Sequence, residues 1–450
     1  MRYDGERPTD IYQASSARAI DAIDRLAPRL VETLSEVIQI PSINPRYPGQ
    51  RYEDHIGLES EVSELLADLY RTAGADVELV AKEKGRDNAC GRITGTGGGS
   101  SLMFNGHVDV VPANAAKWHM PPFSGQITDT DVHGRGATDD KGGIVAAAFA
   151  AIALKQAGIA LKGDLIFQAV VGEETGDHAF GTSAALEAGY LADAAIVVEP
   201  TSYDGTIPAL ATVSAGGLWF SLALVGKAAH SSLRGRALQP TLAGDRLGVN
   251  TVDKFWVVYQ ALRNLEDQWA QNDRHPNYVP GHFSILPAVV DAHPSGFKVP
   301  FALADTLTVE YSVTHNPART NQEVIDEIES VVRIACSLDP WLAEHEPVFE
   351  WKLLWEPYTL SPTHPLIPAI SSAHSAALGH LDGSLAPVSD GFFGLCDITW
   401  LTQQGVDGVM YGPGVGNTAH AEDEYVPIDQ LLIAAKTYAL TAIRFCGVED

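Results

Sequence analysis

The feature that most limits what this chain can fold into is an alternation of short apolar runs with helix-length stretches between residues 76 and 199. "DVELVA", "SLMFNGHVDVV", "DLIFQAVV" and "AAIVVEP" have the length and composition of buried strands. An Ala-rich helix from Gly142 to about Ala157, and another near 181–189, fall among them. Such alternation predicts an α/β domain with a largely parallel sheet. An amphipathic helix over 17–40, interrupted near Pro28, and a second over roughly 57–73 come first. In sheets of this kind ligands gather at the carboxyl ends of the strands.

The pattern changes near residue 210. "TVSAGGLWFSLALVG" alternates like an antiparallel strand. A helix over roughly 251–270, the strand "TLTVEYSV" and a helix over roughly 320–337 follow, which predicts a smaller α+β insertion. After about 360 the α/β character returns with "LIPAISSAHSAAL", "GVMYGPG" and "IDQLLIAAKTYALTAIRF". The expected division is therefore a catalytic domain over 1–209 and 356–450, interrupted by an inserted domain over 210–355.

Charge excludes some partners. The 57 acids against 30 basic residues give a net charge of −27. That argues against nucleic acid and anionic membranes, which need basic patches. No apolar run reaches the length of about 18 residues that a membrane span needs, and the N-terminal "MRYDGERPTDIYQ" has no signal-peptide core. Cys90, Cys336, Cys396 and Cys446 are scattered, without metal or disulfide spacing, so a cytoplasmic address is expected.

The chemistry sits at the strand ends. His107 and Asp109 lie two residues apart, so an extended chain points them to one side. A carboxylate there can fix the ring tautomer and leave the other nitrogen free for a metal. "GRGATDDKGG" puts Asp139 and Asp140 just before a helix, "VVGEETGDHAFGT" puts Glu173 and Glu174 after a strand, and "AAIVVEPTS" ends a strand on Glu199. "YGPGVGNTAHAEDEYVP" carries His420 in a Gly-rich loop. Taken singly, each has a plain explanation as helix-end acid, solvated turn or surface His. Taken together, so many acids would repel each other unless divalent cations lay among them. Mixed imidazole and carboxylate ligands suit zinc, with manganese or cobalt as alternatives.

"GHVDVVP", "GRGATDDKGG", "GEETG", "GTSAALEAG", "VVEPT", "GKAAHSS" and "GPG…AHAEDEYV" occur in the order found in the M20 metallopeptidase family, which the chain resembles from about residue 100 onward. The resemblance implies a zinc-peptidase-like α/β catalytic domain interrupted by a ferredoxin-like α+β lid or dimerisation domain. It implies two divalent ions, His107 and Glu199 on one, Glu174 and His420 on the other, and Asp139 bridging them through a cis peptide to Asp140. Asp109 would orient His107, and Glu173 would be the general base. His230, in "GKAAHSS", would donate to the oxyanion, with a homodimer formed through the insertion.

The implied activity is hydrolysis of a C–N amide bond in a small molecule, an N-acyl amino acid first. Alternatives are a dipeptidase or carboxypeptidase, or a hydrolase of a carboxylate-free aromatic amide or amine. The chain departs from its relatives where they carry carboxylate-gripping Arg residues. Glu310-Tyr311-Ser312 and Asp397-Ile398-Thr399 have none, leaving Arg234, Arg236 and Arg319 as candidates. The aromatic- and His-rich stretch 255–301 is expected to reshape the binding pocket toward apolar ligands.

Overall fold

The computed structural model describes residues 8–203, 207–239, 247–380 and 387–449. The chain divides into two compact units, residues up to Val213 with those from Leu360 onward, and the segment Ser214–Thr359 between them.

The first unit is built on a mixed sheet. Its order runs Asp76–Val80, Asn88–Ile93, Leu165–Val170, Leu102–His107, Ala194–Val197, Gly408–Met410, Leu210–Ser214. From Leu165–Val170 to Gly408–Met410, neighbouring strands pair in parallel. The flanking pairs are antiparallel. The strands Leu102–His107, Leu165–Val170 and Ala194–Val197 are buried throughout, as a sheet covered on both faces requires. The helix Lys141–Gln156 is buried almost end to end, and packs against the helices Pro8–Ile38, Leu58–Ala73 and Ile428–Cys446.

Three local readings need correction. The helix Pro8–Ile38 runs through Pro28 without a break. Proline inside a helix costs about 3 kcal/mol, but Ala19, Ala22, Ile23, Leu30, Leu34, Val37 and Ile38 are all fully buried on this helix and outweigh it. Pro28→Ala should therefore raise stability, by up to about 3 kcal/mol, as read from a urea unfolding curve. "TVSAGGLWFSLALVG" forms two strands rather than one. Leu210–Ser214 joins the first unit's sheet, and Gly216–Val225 starts the second unit's. Asn88–Ile93, whose Asn, Cys, Gly and Arg hide the strand pattern, is a buried strand of the first sheet.

The second unit runs strand, helix, strand, strand, helix, strand, which is the ferredoxin-like order. Its antiparallel sheet is ordered Ser284–His293, Thr306–His315, Gly216–Val225, Val348–Trp355. The helices Thr251–Asn272 and Asn321–Ser337 supply Val258, Leu262, Ile328 and Val332 to a core shared with Phe220, Leu222, Val309 and Tyr311. A capping box of Thr320 and Glu323 starts the second helix. Within 255–301, Trp269 and Phe283 are buried in this unit's own core and Phe255 and Tyr278 pack against it, while Trp256, Phe297 and Phe301 are exposed.

Candidate metal centre and active site

Four parallel strands end side by side, and each hands its chain to a segment bearing a polar residue. Leu102–His107 ends on the His107 imidazole itself. Leu165–Val170 leads to the turn Glu173–Thr175, Ala194–Val197 to Glu199, and Gly408–Met410 to the loop holding His420. Asp139 comes from the segment before the helix Lys141–Gln156, and its peptide bond to Asp140 is cis. Gly106 has to be glycine, because a Cβ there would lie 2.3 Å from an Asp140 carboxylate oxygen.

Asp139 lies between the two imidazoles. Its Oδ1 is 2.9 Å from His107 Nε2, and its Oδ2 is 3.3 Å from His420 Nε2. His107 Nε2 also lies 3.5 Å from Glu199 and 3.9 Å from Glu173. His420 Nε2 is 2.9 Å from Glu174. His107, Glu173 and Glu199 offer ligand atoms within 4.8 Å of one another, and so do His107, Asp139 and Glu174. His107 is buried, while the His420 side chain is 55% exposed and its backbone takes a φ of 59°. That left-handed conformation is uncommon outside glycine and marks a constrained loop.

The sequence profile of Peptidase family M20/M25/M40 matches residues 103–444. The chain belongs to this family. It is 29% identical over 436 residues to an N-formyl-4-amino-5-aminomethyl-2-methylpyrimidine deformylase of Bacillus subtilis, covering 94% of this chain and 97% of that protein. It is 27% identical to a probable succinyl-diaminopimelate desuccinylase of Staphylococcus epidermidis, covering 91% and 95%. Among solved structures it resembles a dipeptidase of Saccharomyces cerevisiae with a TM-score of 0.72, at 16% identity, covering 96% and 99%.

In this M20 chain Asp109 acts differently from the expectation. The His107 ring is held by the main-chain carbonyl of Asp109, 2.8 Å from Nδ1, whereas the nearest carboxylate oxygen is 3.7 Å away. A carbonyl can only accept, so Nδ1 carries a proton and Nε2 is the ring atom turned toward Asp139 and Glu199. The Asp109 carboxylate instead collects the main-chain N–H groups of Gly172 (2.9 Å), Glu173 (3.3 Å) and Glu174 (3.2 Å). Asn44, unremarked in the sequence, donates to the same carboxylate at 2.8 Å and to Thr175 Oγ1 at 3.0 Å. Asp109 thus places the turn that presents Glu173 and Glu174.

His230 belongs to the second unit, is exposed, and pairs with Ser232 Oγ at 2.8 Å. Arg234 pairs with Asp253, and Arg319 with Glu327 at 2.6 Å. Both are neutralised inside the second unit. Asp397 and Thr399 are buried in the first unit; Asp397 accepts from Thr182 Oγ1 at 2.6 Å.

Charge tests whether divalent cations fit here. Burial, added to by neighbouring acids, pushes Glu173 and Glu199 well above the usual carboxylate range. Burial raises Glu174 as well, and leaves its Oε1 without a hydrogen-bond partner. Burial alone would lower both imidazoles, but the surrounding carboxylates prevail, raising His107 well above its ordinary value and His420 to about 12. Burial would raise Asp139 too, but hydrogen bonds from the two imidazoles hold it far below the ordinary value. Four acids, buried or largely shielded, around two imidazoles, with an orphaned carboxylate oxygen, is a donor set that suits two divalent ions.

A pH dependence follows. Without cations, the raised acids bind more protons in the folded than in the unfolded chain between their ordinary value of 4.5 and their raised folded-state values. The raised imidazoles add stability that is complete below 6.5 and fades at higher pH. Asp139 adds a constant contribution in this window. Chelator-treated protein should therefore melt at a lower temperature at about pH 8 than at about pH 5.5, and zinc should stabilise it more at the higher pH. The reverse order in a calorimetric scan contradicts the charge assignment.

Proposed function

We propose that this chain is a two-ion amidohydrolase that splits the C–N bond of a small N-acyl compound lacking an α-carboxylate. The observation that supports hydrolysis is Asp139 set between His107 and His420, with Glu173 beside them. His107 and Glu199 would hold one ion, Glu174 and His420 the other, with Asp139 shared. Bound zinc, or manganese or cobalt, would supply Lewis acidity and a more acidic water. Glu173, whose carboxyl burial holds above the ordinary carboxylate range, takes a proton from the attacking water. The water oxygen bonds to the acyl carbon, the C–N bond breaks, and Glu173 returns the proton to the leaving nitrogen. Carboxylic acid and free amine result.

The substrate class is supported by what is missing. Thr399 fills a buried position where relatives carry an Arg, and two of the three candidate Arg residues, Arg234 and Arg319, are already paired, which leaves Arg236. The likeness to a formyl-aminomethylpyrimidine deformylase supports a formamide on an aromatic aminomethyl group. The likeness to a desuccinylase supports a second reading, N-acyl amino acid deacylation. Comparing kcat/KM on a formylated aminomethylpyrimidine with N-acetyl- and N-succinyl-amino acids decides between them. Preference for the carboxylate-bearing amides would overturn the first reading.

The reading extends to assembly. The edge strand Ser284–His293 exposes Leu286, Val289 and Val290, which supports a homodimer joined through the second unit. Light scattering tests it. His230 would then stabilise the oxyanion. Among the described residues no helix is long and apolar enough to cross a membrane. The scattered cysteines support a cytoplasmic address, and the net charge of −27 supports the absence of nucleic-acid partners.

A further inference from the structure

Two stretches distant in sequence, 134–139 and 412–425, carry Asp139 and His420, and one buried carboxylate joins them. Glu424 is fully buried. Its Oε1 accepts the main-chain N–H groups of Gly136 (3.1 Å), Thr138 (2.9 Å) and Asp139 (3.1 Å). Its Oε2 accepts from the Arg135 guanidinium, which also donates to the carbonyl of Ala421 at 3.0 Å. The Glu424 carbonyl accepts from Gly134 N at 2.9 Å. Thr138 Oγ1 donates to the Tyr425 carbonyl at 2.7 Å and accepts from Val415 N at 3.1 Å. The neighbouring acid, Asp423, is spent on the exposed loop, where it binds His119 N at 2.8 Å and Nδ1 at 2.6 Å.

A buried acid that served only to neutralise Arg135 would need no main-chain partners. Glu424 takes three, ending on the amide of Asp139, and it lies four residues after His420. We propose that Glu424 is a positioning residue that fixes the Asp139 carboxylate against the His420 imidazole. It thereby sets the affinity for the ion that Asp139, Glu174 and His420 share. This rests on the two-ion reading above.

The test is calorimetric titration of chelator-treated protein with zinc alone, each variant first checked for folding by circular dichroism. In Glu424→Gln the amide oxygen turns to Arg135, and its NH2 faces three N–H donors. At least one of the two zinc-binding events should lose about ten- to a hundredfold in affinity, the range for disturbed outer-shell partners. In Glu424→Gln/Arg135→Met the amide oxygen is free to face the three amides, and the weakened binding should recover. In Glu424→Leu/Arg135→Met, which packs but accepts nothing, it should stay weak. The proposal is overturned if the Leu/Met pair binds both ions as tightly as the unsubstituted protein. It is equally overturned if the Gln/Met pair fails to recover. Should Glu424→Gln alone not fold, the two double variants still decide. Fewer than two ions in the unsubstituted protein would sink the two-ion reading itself.

Discussion

Glu173→Gln should lower turnover by about 10²–10⁴-fold, the usual contribution of a positioned general base, and leave metal content unchanged. Gln keeps the size and the main-chain N–H that Asp109 accepts at 3.3 Å. It cannot accept a proton. Glu173 is well placed for that work, since its side chain is only 11% exposed and lies 3.9 Å from His107 Nε2. Burial, reinforced by the charges of Glu174, Asp397 and Asp139, holds its carboxyl well above the ordinary range and outweighs the opposing pull of His107. Turnover close to that of the unsubstituted enzyme would place the base elsewhere.

Asp139→Asn should be at least as damaging, for a different reason. Asp139 is the residue whose two carboxylate oxygens face both imidazoles, at 2.9 Å and 3.3 Å. Asn keeps the shape and the N–H that Glu424 accepts, but offers one oxygen and no charge. Protein passed through a desalting column should retain at most one ion per chain and show no measurable turnover. Two retained ions would rule Asp139 out as the shared ligand.

The same residues show what the sequence could reveal. Apolar runs of strand length located the central strands, and the residues past their ends, His107, Glu173, Glu174 and Glu199, could be read in order. The family and the α/β fold with a ferredoxin-like insertion were legible from ordered motifs and from the change in strand pattern near 210. What escaped reading depends on contacts distant in sequence. Asn44 and Asp109 meet the turn at 172–175 across more than sixty residues, and Glu424 meets Asp139 across 285. The partners of Asp109 and Glu424 include main-chain amides, which leave no mark in composition. At Pro28 local propensity points to a break that tertiary packing outweighs. Asn88–Ile93 is a strand through pairing on both edges and not through its own residues, so its composition does not reveal it.

The most direct test of the account is a crystal structure of the zinc-loaded protein, with anomalous scattering recorded at the zinc edge. The account predicts two peaks, one beside His107 and Glu199, the other beside Glu174 and His420, with Asp139 touching both. A single peak, or peaks away from Asp139, would contradict it.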